Sequence, residues 1–462
     1  MILKARNGTA LKVLALLGVG LAALPAQAVS LAADGLGQVL IYPYYSVRGG
    51  NDTHLSVLNQ TDQPKVLSVR LRESRNGREV SSLTLFLGPR DEWVAGITAT
   101  ADGAKLYSGD ASCTRPVIAA GGMALTNLFI GGGAHSSGFD DSGQDGDGSS
   151  PDRTREGYIE VIELGVIDDP LLALQVTVQG LQAPCRLTGE PIPRLTGSRA
   201  LAPPSGGLAG SASLINVGQG SEYSYEPVVL DDFSQINLWT GDRLPDLGAA
   251  NPPISQVTFQ GESLTSTWAE GIDAVSAVLM RVSLLNQVVL EPTTLSQTSW
   301  VVTFPTKHHY VPVGRQGPKP RGPFSSIFGE GGACEAVYQG IGVNFPLNDR
   351  EGVPVVDPRP NPGPDLKWPM LCREATVLAF NGSTLLTSPV AESLVASYDN
   401  GWTQLDFDNE VHSLRSLEGH VYRGLPVTGF MLRNFVNGNL NGVLSNYGGS
   451  YNHKYLRSIQ RN

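Results

Sequence analysis

The stretch LSVRLRESRNGREVSSLTLFL, residues 67–87, decides the fold. Leu67, Val69 and Leu71 alternate with Ser68, Arg70 and Arg72, the period of a strand with one dry face and one wet face. Asn76-Gly77 follows, and both residues tolerate the positive φ of a tight hairpin turn. Leu83, Leu85 and Leu87 then alternate again with Thr84 and Phe86. Working outward, Leu55 and Val57 with the turn residues Asn59 to Asp62 read as another strand and its exit. The pattern is β from Gln38 to Trp93. Short strands with turns between them predict an immunoglobulin-like β-sandwich.

Downstream the strand pattern recurs with interruptions. Gly131 to Ser150 is nearly all Gly, Ser and Asp and cannot bury apolar area, which predicts an exposed loop. Gly157 to Leu164 reads as a strand, with Leu174 to Val178 as its partner. Pro184 to Pro204 is rich in Pro, Gly and Arg and marks the expected domain boundary. Residues 1–28 then read as a leader, 29–200 as the N-terminal sandwich and 201–462 as a second β-rich region. The second region carries one helix candidate, Ile272 to Leu285, with Asp273 as its cap. Trp300, Val302 and Phe304 alternate with Val301 and Thr303 as a strand. The fold class expected is mainly β.

The first 28 residues have the form of an export signal. Lys4, Arg6 and Lys12 form a charged n-region. Val13 to Leu24 is apolar but too short to span a bilayer with ease, and Ala26-Gln27-Ala28 is a signal-peptidase site. Cleavage after Ala28 predicts an exported protein of the periplasm, outer surface or medium. It leaves 434 of the 462 residues and moves the net charge from −10 to about −13. Such an acidic chain is a poor fit to nucleic acid, whose phosphates demand a basic surface. No later apolar run is long enough for a membrane helix. Only 16% of residues are charged, while Gly (54) and Pro (31) are abundant, which favours a β-protein with many loops.

Four cysteines, Cys113, Cys185, Cys334 and Cys372, contain no C-x-x-C pair, so zinc-ribbon and thioredoxin-like chemistry finds no support. An even count in an exported chain predicts disulfides. Of the three pairings, Cys113–Cys185 with Cys334–Cys372 keeps each bridge within one half.

Among motifs, the acidic loop is the best candidate for chemistry. Asp145, Asp147 and Glu156 supply hard oxygens in a Gly-rich segment, the donor set of Ca²⁺. Position six of the equivalent EF-hand loop is Ser150 rather than Gly and a strand follows, so the expectation is a looser calcium loop, weighed against a plain solvated one. Asp141-Ser142-Gly143 resembles half of an aspartic-protease site but has no second copy. His308-His309 follows a strand pattern. Continued as a strand, it would point the two rings to opposite sides, which argues for a structural role. H-E-x-x-H, G-x-S-x-G and a complete phosphate loop are missing. Arg315, Lys319 and Arg321 lie in a Pro-rich loop suited to acidic polysaccharide or to simple exposure. Of six tryptophans, Trp93 and Trp300 sit in strand patterns and belong to the core, while Trp368 is the one expected outside.

The segments LIYPYYSVRGGNDTHLSVLNQT (40–61), VRLRESRNG (69–77), REGYIEVIELG (155–165), GSASLINV (210–217), GIDAVSAVLMR (271–281), WVVTFPTKHHYV (300–311) and VLSNYGGSYNHKYLRSI (443–459) resemble a family of uncharacterised exported proteobacterial cell-surface proteins. The resemblance spans most of the mature chain and implies export and a β-rich fold, with no site residue to carry over. The function expected is that of an exported, non-enzymatic envelope or surface protein with a structural or adhesive role. Its partner would be a surface polysaccharide or another envelope protein. The alternative is a carbohydrate-binding module, or a glycan-active enzyme using loop aromatics and a carboxylate pair.

Overall fold

The computed structural model describes residues 27–126, 150–177, 201–239, 244–311, 321–324, 328, 341–342, 347–353, 370–440 and 443–462. The hairpin read from the sequence is present. Strands Lys65–Glu73 and Glu79–Leu87 pair antiparallel, with Val69 opposite Leu83. Gly77 takes φ +66° at the turn, and the Glu73 carboxylate accepts the amides of Arg75 and Asn76, both at 2.8 Å.

This hairpin belongs to an eight-stranded sheet that faces a six-stranded one. The first runs, in spatial order, Ser30–Leu31, Val228–Asp231, Val39–Ser46, Glu156–Ile167, Lys65–Glu73, Glu79–Leu87 and Cys113–Arg115, with Leu201–Ala202 added to Glu156–Ile167. The second is built around Leu208–Asn216, Asp52–Asn59 and Glu92–Ala99. Between them lie Leu40, Tyr42, Leu55, Val57, Val69, Leu85, Trp93 and Val161. The mainly β class and a two-sheet sandwich therefore hold. The strand set exceeds that of an immunoglobulin domain, which has about seven to nine strands in all.

Two boundaries differ from the sequence reading. Residues 201–231 complete the first two sheets instead of opening a second domain, because Leu208–Asn216 pairs with Asp52–Asn59 and Val228–Asp231 pairs with Val39–Ser46. Among the described residues two helices are present in place of one. Residues 174–176, read as part of a strand, close helix α1 (Pro170–Val176), started by Asp169, whose carboxylate accepts the amides of Leu171 and Leu172, and by Pro170 in the first turn. Helix α2 is shorter than expected, Gly271–Leu279, with Glu270 rather than Asp273 at its N-cap. Asp273 lies inside the first turn, where its carboxylate accepts from the Tyr310 hydroxyl at 2.8 Å. The chain then leaves the helix, and Ser283–Val289 is a strand. Apolar residues at 282 and 285 fit either period over so short a run.

The C-terminal half adds a five-stranded sheet centred on Gln297–Thr303, flanked by Ala375–Phe380 and Thr428–Leu440, and a four-stranded sheet containing Asn400–Asp406, Ser283–Val289 and Lys454–Leu456. The centre of the five-stranded sheet is buried on both faces. Val301, Val377 and Phe430 join the N-terminal core, where Phe430 stacks on Tyr225 at 4.5 Å. Trp300, Leu378 and Met431 join the other core, which also holds Leu284 and Val288 of the four-stranded sheet. The eight-stranded sheet is likewise covered twice, since Val39, Ile41, Val66 and Phe86 pack in that same second core with α1 and α2. Arg70 and Arg72, expected on a wet face, are consequently buried.

The expected start of the mature chain is stitched into this arrangement. Val29 is fully buried, its N–H donates to Ile254 O, and its carbonyl accepts from Gln256 N, both at 2.9 Å. Cys113 and Cys372 are each disulfide-bonded, and Cys185 and Cys334 lie outside the described residues, as do residues 1–26. Among the described residues, no helix is long and apolar enough to cross a membrane.

Candidate functional site

The covered face of the eight-stranded sheet carries a layer of ion pairs. Arg72 Nε lies 2.8 Å from Glu160 Oε1, and Arg70 Nε lies 3.1 Å from Glu79 Oε2. Asp246 reaches both arginines, Arg70 at 3.5 Å and Arg72 at 3.8 Å. Burial alone would raise the Asp246 carboxyl, but its interactions with the neighbouring His309, Arg72, His308 and Arg70 hold it well below the usual carboxylate range.

His308 and His309 stand at the edge of this layer. They lie on a single 3₁₀ turn, Lys307–His309, not on a strand, so the rings share one side with centroids 4.2 Å apart. His308 Nδ1 is 2.7 Å from Glu374 Oε1, which also accepts from the Tyr158 hydroxyl at 3.1 Å. Burial, reinforced by Arg72, pushes the His308 imidazole well below its ordinary value and keeps it neutral, so Nδ1 carries the proton toward Glu374. His308 Nε2 has no hydrogen-bond partner among the described residues. An oriented, neutral imidazole is present, but no hydroxyl, thiol or carboxylate among those residues meets its open nitrogen.

The predicted calcium ligands are placed only in part. Asp145 and Asp147 lie outside the described residues. Glu156 is buried at the start of its strand, where it pairs with Arg48 Nε at 3.0 Å and accepts from the Tyr44 hydroxyl at 2.9 Å. Burial raises its carboxyl despite Arg48. Its two neighbours give this carboxylate a structural task inside the sandwich. Among the described residues, no group of three or more His, Cys, Asp or Glu side chains is arranged around a common metal position.

The surface offers a different constellation, which the sequence reading did not find. Trp93 and Trp300 are 1% and 0% exposed, as expected of core residues, whereas Trp402 is 37% exposed. Trp368 lies outside the described residues. Trp402 stands opposite Gln287 in the four-stranded sheet. Gln287 Oε1 accepts from Arg433 Nη1 at 2.9 Å, and Arg433 Nη2 donates to the Tyr451 hydroxyl at 3.0 Å. The guanidinium also lies over the Tyr451 ring, 4.5 Å from its centre. An indole, an amide, a guanidinium and a phenol thus form a continuous exposed strip on strands. A shallow groove of about 480 Å³ flanks it, lined by Gln287, Val289, Arg350, Asn400, Gly401 and Trp402. The available signal was strand parity. Trp402 sits two residues from Asn400 and from Gln404, a polar alternation whose outward face follows from the buried Thr403 and Leu405.

The structure therefore defines a mainly β protein with two sheet pairs sharing their cores. Neither a family model, nor a characterised protein, nor a solved structure matches this chain.

Proposed function

We propose that the protein is an exported, non-enzymatic envelope or surface protein with an adhesive role, and that its strip at Trp402 holds carbohydrate chains. The observation that supports this is the continuity from Trp402 through Gln287 and Arg433 to Tyr451 across the strands of two adjoining sheets. An exposed indole stacks on the C–H face of a pyranose, and the adjoining amide and guanidinium exchange hydrogen bonds with ring hydroxyls. Strands hold such groups more firmly than loops do, which lowers the ordering cost of binding. The shared cores make the support rigid, as a load-bearing attachment requires.

The groove lining supports binding over cleavage. A glycosidase needs two carboxylates about 5–10 Å apart across the bond. Among the described residues the lining holds none, and Glu291 and Glu351 at its margin engage Asn400 at 3.1 Å and Arg350 at 2.8 Å. Affinity electrophoresis through soluble polysaccharides, together with a glycan array, tests the reading. Retardation is expected for wild type and is lost in Trp402→Ala, with no reducing ends released. Wild-type mobility unchanged by every polysaccharide would reject the adhesive strip, and release of reducing ends would replace it with the glycan-active alternative.

A further inference from the structure

A second cavity, away from Trp402, lies where the two halves meet. Its volume is about 160 Å³, room for roughly five waters at liquid density. Leu31, Pro43 and Glu226 come from the N-terminal half, and Leu284, Thr428 and Asn452 from the C-terminal half. Arg281 and Tyr455 complete the wall.

Arg281 is the unusual member. It is 4% exposed, two residues past the end of α2, and its guanidinium carbon lies over the Tyr455 ring, 3.8 Å from the ring centre. Nη1 donates to Val278 O at 2.9 Å and Met280 O at 2.8 Å. Arg457 donates to Ala277 O and Val278 O at the same helix end. The partial negative charge of a helix C-terminus accounts for a cation there. It does not account for two guanidiniums with no carboxylate in ion-pair contact with either among the described residues. Nor does it use the remainder of Arg281, since the helix carbonyls occupy only Nη1. The Nε and Nη2 hydrogens, which lie along one edge of the planar group, have no acceptor among those residues.

That open edge is a two-pronged donor with the geometry of a carboxylate. We propose that the cavity binds a small organic carboxylate, its two oxygens on Nε and Nη2 of Arg281, with the guanidinium held in place by Tyr455 and the α2 carbonyls. The like charge of Arg457 makes an anion more welcome still. Glu226 is exposed at the cavity and opposes an anion, which sets an upper bound on affinity. His453 does not compete for the ligand, because Nε2 is 3.0 Å from Val301 O and Nδ1 is 3.2 Å from Asn286 Nδ2. The size suits an acid of several carbons and excludes a polymer.

Calorimetric titration of the mature protein with acetate, lactate and D-glucuronate tests the assignment, with D-glucose and inorganic phosphate as controls. Saturable heat is expected for at least one carboxylate and none for glucose. Glu226→Gln, an exposed change that leaves the fold intact, is expected to tighten that binding several-fold, and Arg281→Lys, which keeps charge but loses the fork, to weaken it about tenfold. No saturable heat from all three acids overturns the proposal. So does a response to phosphate as strong as to the best acid, or affinity unaltered in Glu226→Gln, whichever way Arg281→Lys folds.

Discussion

Lys65 Nζ lies 2.6 Å from Glu163 Oε1, and neither side chain reaches solvent. Ser205 Oγ accepts a second ammonium bond at 2.6 Å, while the Glu163 carboxylate also takes the amides of Ser205 at 2.9 Å and Gly206 at 2.8 Å. The pair thereby fastens the 205–206 segment to two neighbouring strands of the eight-stranded sheet. Removing one partner strands the other charge in a dry site. Lys65→Met is expected to cost about 3–5 kcal/mol, and Lys65→Met/Glu163→Leu less than the sum of its single changes. Urea unfolding of the four proteins checks this. Single substitutions that shift stability by under about 1 kcal/mol would show the pair to be inert.

A neutral buried histidine gives the fold an acid limit. His453 packs 4.8 Å from Trp300, with both ring nitrogens engaged, and burial lowers its pKa to about 4. In the unfolded chain the value is about 6.5. The unfolded state therefore binds the proton first. The associated stability is complete above about pH 6.5 and drains away as pH falls to about 4, a loss of roughly 3 kcal/mol. His308 and His309, also pushed down by burial, act in the same direction. Urea midpoints from pH 7 to 4.5 should fall more steeply in wild type than in His453→Gln. Parallel pH slopes would remove His453 from the account.

Much of the N-terminal sandwich was legible because its strands announce themselves locally: alternation at 67–71, a turn that needs Gly77, alternation again at 83–87. What local pattern cannot report is what covers the second face. Ser68, Arg70 and Arg72 read as solvent-facing until Tyr158 and Glu160 are set beside them on the neighbouring strand and Asp246 is brought against the arginines from far along the chain. The same limit hid the candidate surface. Trp402 and Gln287 come from one sheet and Arg433 and Tyr451 from another, and only strand register within each sheet and the meeting of the two sheets make them neighbours. His308-His309 was misread for a local reason. The strand ends at Thr303, and the 3₁₀ turn that follows turns both rings to one side.

The tryptophans separate packing from recognition. Trp300 fills the core beneath the four-stranded sheet and donates Nε1–H to Gln287 O at 3.2 Å. Trp300→Ala is expected to destabilise by about 3–5 kcal/mol. Trp402→Ala, on the outer face of the same sheet pair, is expected to stay within about 0.5 kcal/mol of wild type. Thermal and urea melts of both variants decide it. Equal losses would place Trp402 in the packing and undercut its role in binding.

Processing after Ala28 would place the new α-ammonium at Val29, where the N–H already meets Ile254 O at 2.9 Å. Ala28 and Val29 are 4% and 0% exposed, so the scissile bond is accessible only before the fold closes over it. N-terminal sequencing of exported protein is expected to begin at Val29, and a folded precursor is expected to resist purified signal peptidase. Efficient cleavage of that folded precursor would contradict the buried placement.

The placement of Cys113 favours the expected pairing with Cys185. Cys113 is buried beneath α1, with its sulfur 4.0 Å from Gln175 O. Only ten residues separate Gln175 from Cys185, so the chain leaving α1 starts beside Cys113. Bridging Cys113 to Cys185 closes a loop of about 70 residues, which in the chain-entropy treatment contributes about 4 kcal/mol. It also clips the C-terminal end of α1, a helix of 7 residues, too short to persist by its own hydrogen bonds. Cys334–Cys372 is expected as the complementary bridge. Non-reducing peptide mapping should yield these two linked pairs, and Cys185→Ser should lower stability by about 4 kcal/mol and expose the segment after α1 to protease. A linked peptide joining Cys113 to Cys334 would overturn the pairing and tie the two halves covalently.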